Sequence, residues 1–326
     1  MYYPNNIEEI CYDEEHIQQV LAEIKSNFYN YFERFLETEA GNKITEDLFN
    51  SISEELKCTN IRITKKNINQ GKVLKQIIEE SINSFERDRQ SYIDILDEEA
   101  LEEYEDDPSN FKNSVLKNGC PIIRLTIQNK KAKELDKYRY EFRCSDPNEL
   151  LTVVRNLTNF ANEYMNYIYD EDRYESITKL DELNLSELDG DNYTVYGVIG
   201  GGIKSHMLYK LYPSVFSNRS REALWALWYL TNKKTFGCVE DSEFLNINLE
   251  KNTTQQNFFY PYELFSFYAY NIYLLLKKEA DKYGAYIDKE YRYVIVDSFL
   301  SFVAKEHNEE ISFLKSKATE DYYGYY

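Results

Sequence analysis

Apolar side chains recur at intervals of three and four residues along most of the chain, and this spacing places them on one face of an α-helix. Over residues 7–36 the pattern includes Ile17, Val20, Ile24 and Phe28, which predicts one long amphipathic helix. The other segments with helical spacing are 45–56, 73–85, 150–169, 205–212, 219–231, 262–283 and 296–307. The chain is therefore predicted to be mainly helical.

Apolar and polar side chains alternate over residues 121–128 and 138–144, and a turn-like Asn-Lys-Lys sequence lies between these segments. Such alternation predicts a β-hairpin. Because an isolated hairpin is marginally stable in water, we expect residues 193–199 and 244–248 to supply further strands. The predicted fold class is mainly α (α+β), with a helical N-terminal region and a larger helical region that contains a small antiparallel sheet.

An acidic run interrupts the pattern at residues 97–107, where DEEALEEYEDD places eight acids in eleven positions and Pro108 follows. Like charges at this density repel one another. We therefore predict a boundary here, between an acidic helical region over residues 1–108 and an α+β domain over residues 109–326 that carries the candidate site. The run itself is either a docking element for a basic partner or a solvated helix end or linker.

The whole chain is acidic, because its 326 residues include 57 Asp and Glu against 38 Lys and Arg, for a net charge of −19. A field of this sign repels phosphates and anionic lipid headgroups, which argues against broad nonspecific coating of nucleic acid and against membrane attachment. The 31 Tyr, 18 Phe and 2 Trp residues are ample material for a core. We expect a folded acidic protein without a membrane contact.

The five cysteines form no CxxC pair, which favours thiols in a reducing compartment over disulfides or a structural zinc site. The N-terminus lacks the basic and apolar regions of a signal peptide. These features predict a cytoplasmic protein. The abundance of Asn, Lys, Ile and Tyr is typical of AT-rich bacterial or phage genomes.

A glycine loop, Gly200 to Gly202, precedes Lys204 and Ser205 at a predicted strand-to-helix junction. Backbone N–H groups of such a loop and the dipole of the following helix can hold a phosphate. The spacing departs from a P-loop because Ile203 separates the glycines from Lys204, and the dinucleotide-binding spacing is also absent. Gly201, Gly202, Lys204 and Ser205 remain candidate ligand-binding residues, and a tight turn without a ligand is the alternative.

His206 follows this loop and is the candidate acid/base catalyst if the protein is an enzyme. Arg219 and Arg221 lie at the start of a predicted helix, where positive charge opposes the helix dipole unless an anion meets it. Arg221, Trp225 and Trp228 share one face of that helix. This combination can stack on a base or anchor a partner, whereas two tryptophans at this spacing also commonly fill a core.

Asp241 and Glu243 are candidate ligands for Mg²⁺ or Mn²⁺, since divalent-metal hydrolases hold their metal with carboxylates. The Lys that such a site usually carries two residues further on is missing. Gln255, Gln256 and Tyr260 precede a helix and can contact bases or peptides by hydrogen bonding and stacking. A capped helix that packs its aromatic residues inward is the alternative for this segment.

Two functions fit these residues. The favoured one is a non-catalytic interaction protein of a bacterial or phage cytoplasmic system, which docks a protein partner on its acidic face and needs no cofactor. The alternative is a metal-dependent hydrolase or nuclease-like enzyme that acts on a phosphorylated or nucleic-acid substrate. The first is favoured because the chain supplies no complete catalytic set. Convergence of His206, Arg221 and the Asp241/Glu243 pair in one pocket would favour the enzyme.

Overall fold

The computed structural model describes residues 10–37, 70–238, 242–248 and 253–318, and these residues form thirteen α-helices and one two-stranded sheet. The helices are α1 (Glu14–Leu36), α2 (Gln70–Ile95), α3 (Glu98–Glu103), α4 (Pro108–Asn110), α5 (Pro121–Gln128), α6 (Asp136–Cys144), α7 (Pro147–Glu163), α8 (Glu171–Tyr174), α9 (Gly201–Leu211), α10 (Arg221–Leu230), α11 (Tyr262–Lys282), α12 (Arg292–Glu306) and α13 (Asn308–Ala318). The mainly α (α+β) class is confirmed. The helix predicted over residues 45–56 lies outside the described residues.

Helix α10 lies at the centre of the molecule, because every residue from 223 to 230 is buried. It packs on α12, α12 packs on α11, and α1 contacts all three of these helices. A helix that is apolar on every side is stable only when other elements surround it. Both tryptophans therefore fill the core, with Trp225 1% exposed and its ring edge-on to Trp228 at 5.6 Å.

The two N-terminal helices are amphipathic, as their spacing predicts. In α1 the side chain of Asp13 caps the N-terminus by accepting from the N–H of Glu15, and the buried stripe faces α10, α11 and α12. Helix α2 packs on α9 and α12. Buried residues on both sides of residue 108 thus belong to one apolar cluster, and the domain boundary at that residue stays a prediction.

The sheet consists of β1 (Leu245–Asn248) and β2 (Thr253–Gln256), which pair antiparallel with Leu245 opposite Gln256 and Asn248 opposite Thr253. Helices α10 and α13 pack against these strands, which supplies the support that a two-stranded sheet needs. The strand predicted at residues 244–248 is confirmed.

The hairpin predicted at residues 121–128 and 138–144 is wrong, because these segments form α5 and α6. Pro121 occupies the first turn of α5, where its fixed φ suits a helix. Ile123 is buried, and Ile127 one turn later packs against the core. In so short a segment, apolar residues four positions apart fit both the strand and the helix period, so alternation alone could not separate the two.

The strand predicted at residues 193–199 is also wrong. A 3₁₀ turn, Asp191–Tyr193, precedes an isolated bridge between Val195 and Ile199. Gly197 within this loop has φ 80°, a conformation that glycine adopts without strain. The segment therefore turns back on itself and pairs with no other strand.

The acidic run forms the short helix α3, which is packed against α2 and α7. Asp97 caps it by accepting from the N–H of Ala100, and Leu101 is buried beneath it. All eight acids of residues 97–107 are exposed. The run is thus a structured part of the surface.

Arg292 is the most deeply buried cation of the bundle, with an exposed fraction of 0%. Its guanidinium donates to the Ser214 carbonyl and, at 2.6 Å, to Glu175. Burial of Glu175 raises its pKa, but hydrogen bonds from Lys277, Arg292 and Tyr273 outweigh this and lower it to about 2. The ionised carboxylate is therefore part of the folded state.

This pKa predicts an acid-sensitive contribution to stability. Because the pKa of Glu175 is lower in the folded state than in the unfolded chain, its contribution is complete above about pH 5 and is lost as the pH falls toward 2. Urea unfolding at pH 6 and pH 3 should show a loss of free energy of unfolding about 2 kcal/mol larger in the unmodified protein than in Glu175→Gln. Equal losses in the two proteins would contradict this assignment.

Candidate functional site

The candidate site is built on a buried connection, residues 213–219, that joins α9 to α10 without helical structure. Side chains satisfy its carbonyl groups, since Tyr174 donates to Val215 and Tyr262 donates to Ser217. Buried backbone groups require such partners. Side chains of other elements therefore fix the connection, and its last two residues, Asn218 and Arg219, contact α9.

Arg219 meets the glycine loop. A Cβ on Gly201 would overlap Nη1 of Arg219, so a side chain at this position would displace the buried guanidinium. Its Nη2 donates to the carbonyls of Asn257 at 2.8 Å and Phe258 at 3.1 Å, and its backbone N–H donates to Ser205 Oγ at 3.1 Å. The Nε group is buried without a hydrogen-bond partner. The structure thus brings Gly201, Ser205 and Arg219 together.

Lys204 points away from the loop and into the protein, where Nζ donates to the Leu188 carbonyl. Burial lowers its pKa to about 8, and the nearby Asp189 opposes this shift. Burial likewise lowers the pKa of Arg219 to about 10. Asp189 in turn accepts from the N–H groups of Tyr262 and Glu263 at the start of α11. Lys204 therefore binds the buried Leu188 carbonyl, and its ammonium group does not point into the glycine loop.

His206 is the first of three polar side chains that contact one another in series, His206, Asn218 and Asp297. Its Nδ1 lies 3.4 Å from Oδ1 of Asn218, whose Nδ2 donates to Asp297 at 2.9 Å. The rings of Tyr92 and Tyr209 flank the imidazole. Burial lowers the pKa of His206 to about 4 and raises that of Asp297 to about 7. At neutral pH the imidazole is uncharged and half-buried.

The remaining candidate ligand-binding residues differ in how far they are exposed. Arg221 is exposed, whereas Trp225 is in the core, so the two do not form a joint stacking surface. Gln255 and Gln256 are half-buried in β2. Gly202, beside Gly201, is half-buried, and a Cβ there would meet only the Arg219 carbonyl at an ordinary 3.7 Å.

Glu243, a predicted metal ligand, is 0% exposed. One carboxylate oxygen lies 2.5 Å from Nε2 of His16, and the other accepts from the Tyr260 hydroxyl at 2.6 Å. Cys11 completes the group, since its sulfur and one ligand atom each of His16 and Glu243 lie within 4.8 Å of one another. The other predicted metal ligand, Asp241, lies outside the described residues. Cys11, His16 and Glu243 are hereafter the Cys–His–Glu cluster.

Sequence reasoning missed Cys11 and His16 as partners of Glu243, because His16 and Glu243 are 227 positions apart. The available signal was local and weak. Both residues lie at the start of the first predicted helix, on the side that continues into its apolar stripe. A histidine on a buried face needs a polar partner, but the sequence does not say which distant residue supplies it.

Asn257 connects the cluster to the glycine loop. Its side-chain Nδ2 donates to the Glu243 carbonyl at 3.0 Å, and its own carbonyl accepts from Arg219. His206 and Glu243 nevertheless have different partners, and Arg221 is at the surface. The predicted residues therefore do not assemble into one catalytic pocket within the described part of the chain.

Comparison with known protein families, with curated proteins and with solved structures found no match for this chain. Among the described helices, none has both the length and the apolar character that crossing a bilayer requires.

The contact between Gly201 and Arg219 can be tested with two neighbouring glycines. Gly201→Ala should lower the free energy of unfolding by about 2–4 kcal/mol, because the methyl group displaces a buried guanidinium from its carbonyl partners. Gly202→Ala is the matched control and should be neutral or slightly stabilising, since its methyl has room and alanine favours a helix. Urea denaturation of both variants measures the difference. Similar effects at the two positions would contradict the packing described here.

Proposed function

We propose that this protein is a non-catalytic binding protein that docks a basic protein partner on the exposed acids of residues 97–107, hereafter the acidic surface. The observation that carries the proposal is that all eight acids are exposed on a segment that is capped and anchored to the core through Leu101. A surface that is ordered before binding loses less conformational entropy on association.

The charge of the acidic surface is largely uncompensated. Within the described residues, its ion pairing is limited to Glu105 with Arg155, and Glu98 accepts a hydrogen bond from Asn162 at 2.7 Å. Mutual repulsion of the remaining carboxylates would be relieved by Lys or Arg side chains of a partner. Complementary charge of this kind accelerates association and selects the partner.

The interior supports the non-catalytic assignment. The polar residues that could act in catalysis are engaged within the protein: His206 through Asn218, Lys204 with the Leu188 carbonyl, and Glu243 with His16 and Tyr260. These contacts stabilise the connection between α9 and α10 and the segment after β2.

The docking proposal can be tested with a decalysine peptide and two variants of equal charge. Changing Glu98, Glu99, Glu102 and Glu103 to Gln removes four charges from the acidic surface. The control changes four exposed glutamates elsewhere, Glu33, Glu79, Glu290 and Glu309, to Gln. Titration calorimetry at low salt should show affinity about tenfold or more weaker for the first variant and near that of the unmodified protein for the second.

Equal weakening in both variants would mean that only net charge matters, and it would contradict a docking surface at residues 97–107. Binding that persists unchanged at 1 M salt would also contradict the proposal, because interactions between exposed charges are then screened beyond about 3 Å.

A second candidate function is binding of a phosphate-class anion at the glycine loop. The specific observation is the guanidinium of Arg219 against Gly201 at the start of α9, a helix whose N-cap, Gly200, offers no side-chain cap. The positive end of the α9 dipole and the Arg219 guanidinium face each other there, and the Arg219 Nε has no hydrogen-bond partner. An anion would satisfy both.

This candidate is tested at Gly200, where a side chain would meet nothing within 4 Å. Gly200 has an extended backbone conformation, so Gly200→Val should fold normally and obstruct the helix start. Titration calorimetry with inorganic phosphate should show binding to the unmodified protein and a loss of about tenfold or more in the variant. No phosphate binding, or equal binding by both proteins, would contradict an anion site.

A further inference from the structure

The Cys–His–Glu cluster has the composition of a metal site. It offers a sulfur, an imidazole nitrogen and a carboxylate oxygen, and the three residues are buried, with Cys11 0% and His16 6% exposed. Buried groups of this polarity require strong partners. Unlike the exposed acids of the surface, these three residues are shielded from solvent and have mainly one another as polar neighbours.

We propose that Cys11, His16 and Glu243 bind one divalent transition metal of the zinc class. Thiolate and imidazole ligands favour zinc and its neighbours, whereas Mg²⁺ and Mn²⁺ prefer oxygen ligands. The donor set therefore differs from the Mg²⁺ or Mn²⁺ site expected from Asp241 and Glu243. Three protein ligands leave a fourth position for water or another small ligand.

The geometry needs only a small adjustment. The His16 nitrogen and the Glu243 oxygen are 2.5 Å apart, which is a hydrogen-bond contact. Bound to one tetrahedral zinc ion at about 2.0–2.2 Å each, the two atoms would stand about 3.4 Å apart. Rotation of the Glu243 carboxylate about the oxygen that accepts from the Tyr260 hydroxyl would supply this difference.

Two tyrosines surround the cluster as outer partners. The Tyr260 hydroxyl donates to Glu243 at 2.6 Å and so orients a ligand, as hydrogen-bond donors around metal sites do. The Tyr268 hydroxyl is buried and has no hydrogen-bond partner. The Tyr268 ring lies edge-on to that of Phe244, the residue after Glu243, with 6.1 Å between the ring centroids. A water molecule on the metal would give it a partner.

A surface groove lies on the far side of Phe236 from His16. The groove has a volume of about 620 Å³, and its lining includes Gln19 on α1 and Phe236. The Phe236 ring contacts the His16 ring edge-on at 5.6 Å between centroids. The side chain of Phe236 therefore separates the groove from His16, one of the three proposed metal-binding residues. Phe236 has φ 50°, a strained conformation of a kind found where segments clamp or admit a ligand.

The experiment uses the full chain after removal of bound metal with a chelator, and its probe is Co²⁺. Coordination by Cys11 should produce the intense sulfur-to-cobalt charge-transfer band that only a thiolate ligand gives. Cys11→Ser should abolish the band, and Cys144→Ser, which changes an exposed cysteine elsewhere, should leave it intact. Saturation with Co²⁺ without the band, or a band that survives in Cys11→Ser, would overturn the proposal.

Two further measurements keep the test decisive if Cys11→Ser folds poorly. Tyr260→Phe keeps all three ligands and should weaken Co²⁺ binding about 10–100-fold by removing the hydrogen bond to Glu243. Zn²⁺ at about 100 times its dissociation constant should raise the melting temperature of the unmodified protein on the order of 5 °C, whereas equal Mg²⁺ should not. Unchanged binding in Tyr260→Phe, or equal stabilisation by the two metals, would overturn the proposal.

Discussion

Buried cations whose charged ends bind backbone carbonyls are the interaction on which the rest of this structure depends. Helices alone satisfy their own backbone groups, but the irregular connections between them run through the core and leave carbonyls without partners. Lysine and arginine side chains donate to backbone carbonyls at helix ends and in these connections: Lys112 to Arg143 and Ser145, Arg89 to Lys210 and Leu211, Arg219 to Asn257 and Phe258, and Arg292 to Ser214. Lys210 donates in the same way to the Phe85 carbonyl within α2. Lys112, Lys210, Arg219 and Arg292 are buried, so the loss of any one of them leaves unpaired polar groups in an apolar interior. Tyrosine hydroxyls donate to further carbonyls of the connections.

The same constraint links Arg219 to the Cys–His–Glu cluster. Arg219 reaches the carbonyls after β2 past Gly201, which has no side chain, and Asn257 in turn donates to the Glu243 carbonyl. The cluster includes His16, at the start of α1. The exposed acids of residues 97–107 and the buried cations of the core are thus separate features of one chain.

The sequence predicts the helices well, because an apolar pattern that repeats over ten or more residues fits the helix period and not the strand period. It fails at α5 and α6, where short segments fit two periods, and at residues 193–199, where a glycine with positive φ turns the chain. Gly201 and Arg219 were each predictable as candidate ligand-binding residues, although the sequence does not place them against each other. The pairing of Cys11 and His16 with Glu243 was not, because contacts over such a separation depend on how α1 packs against the whole bundle.

Native-state hydrogen exchange of the connection between α9 and α10 tests this account most directly. The amides of Val215, Phe216 and Arg219 lie in a segment without helical structure, yet each donates a hydrogen bond and the surrounding cations and tyrosines enclose them. If side-chain donors hold this segment as firmly as a helix, these amides exchange only through global unfolding, at the rate of the amides of α10. Exchange at the rate of an exposed loop, while α10 stays protected, would contradict the account.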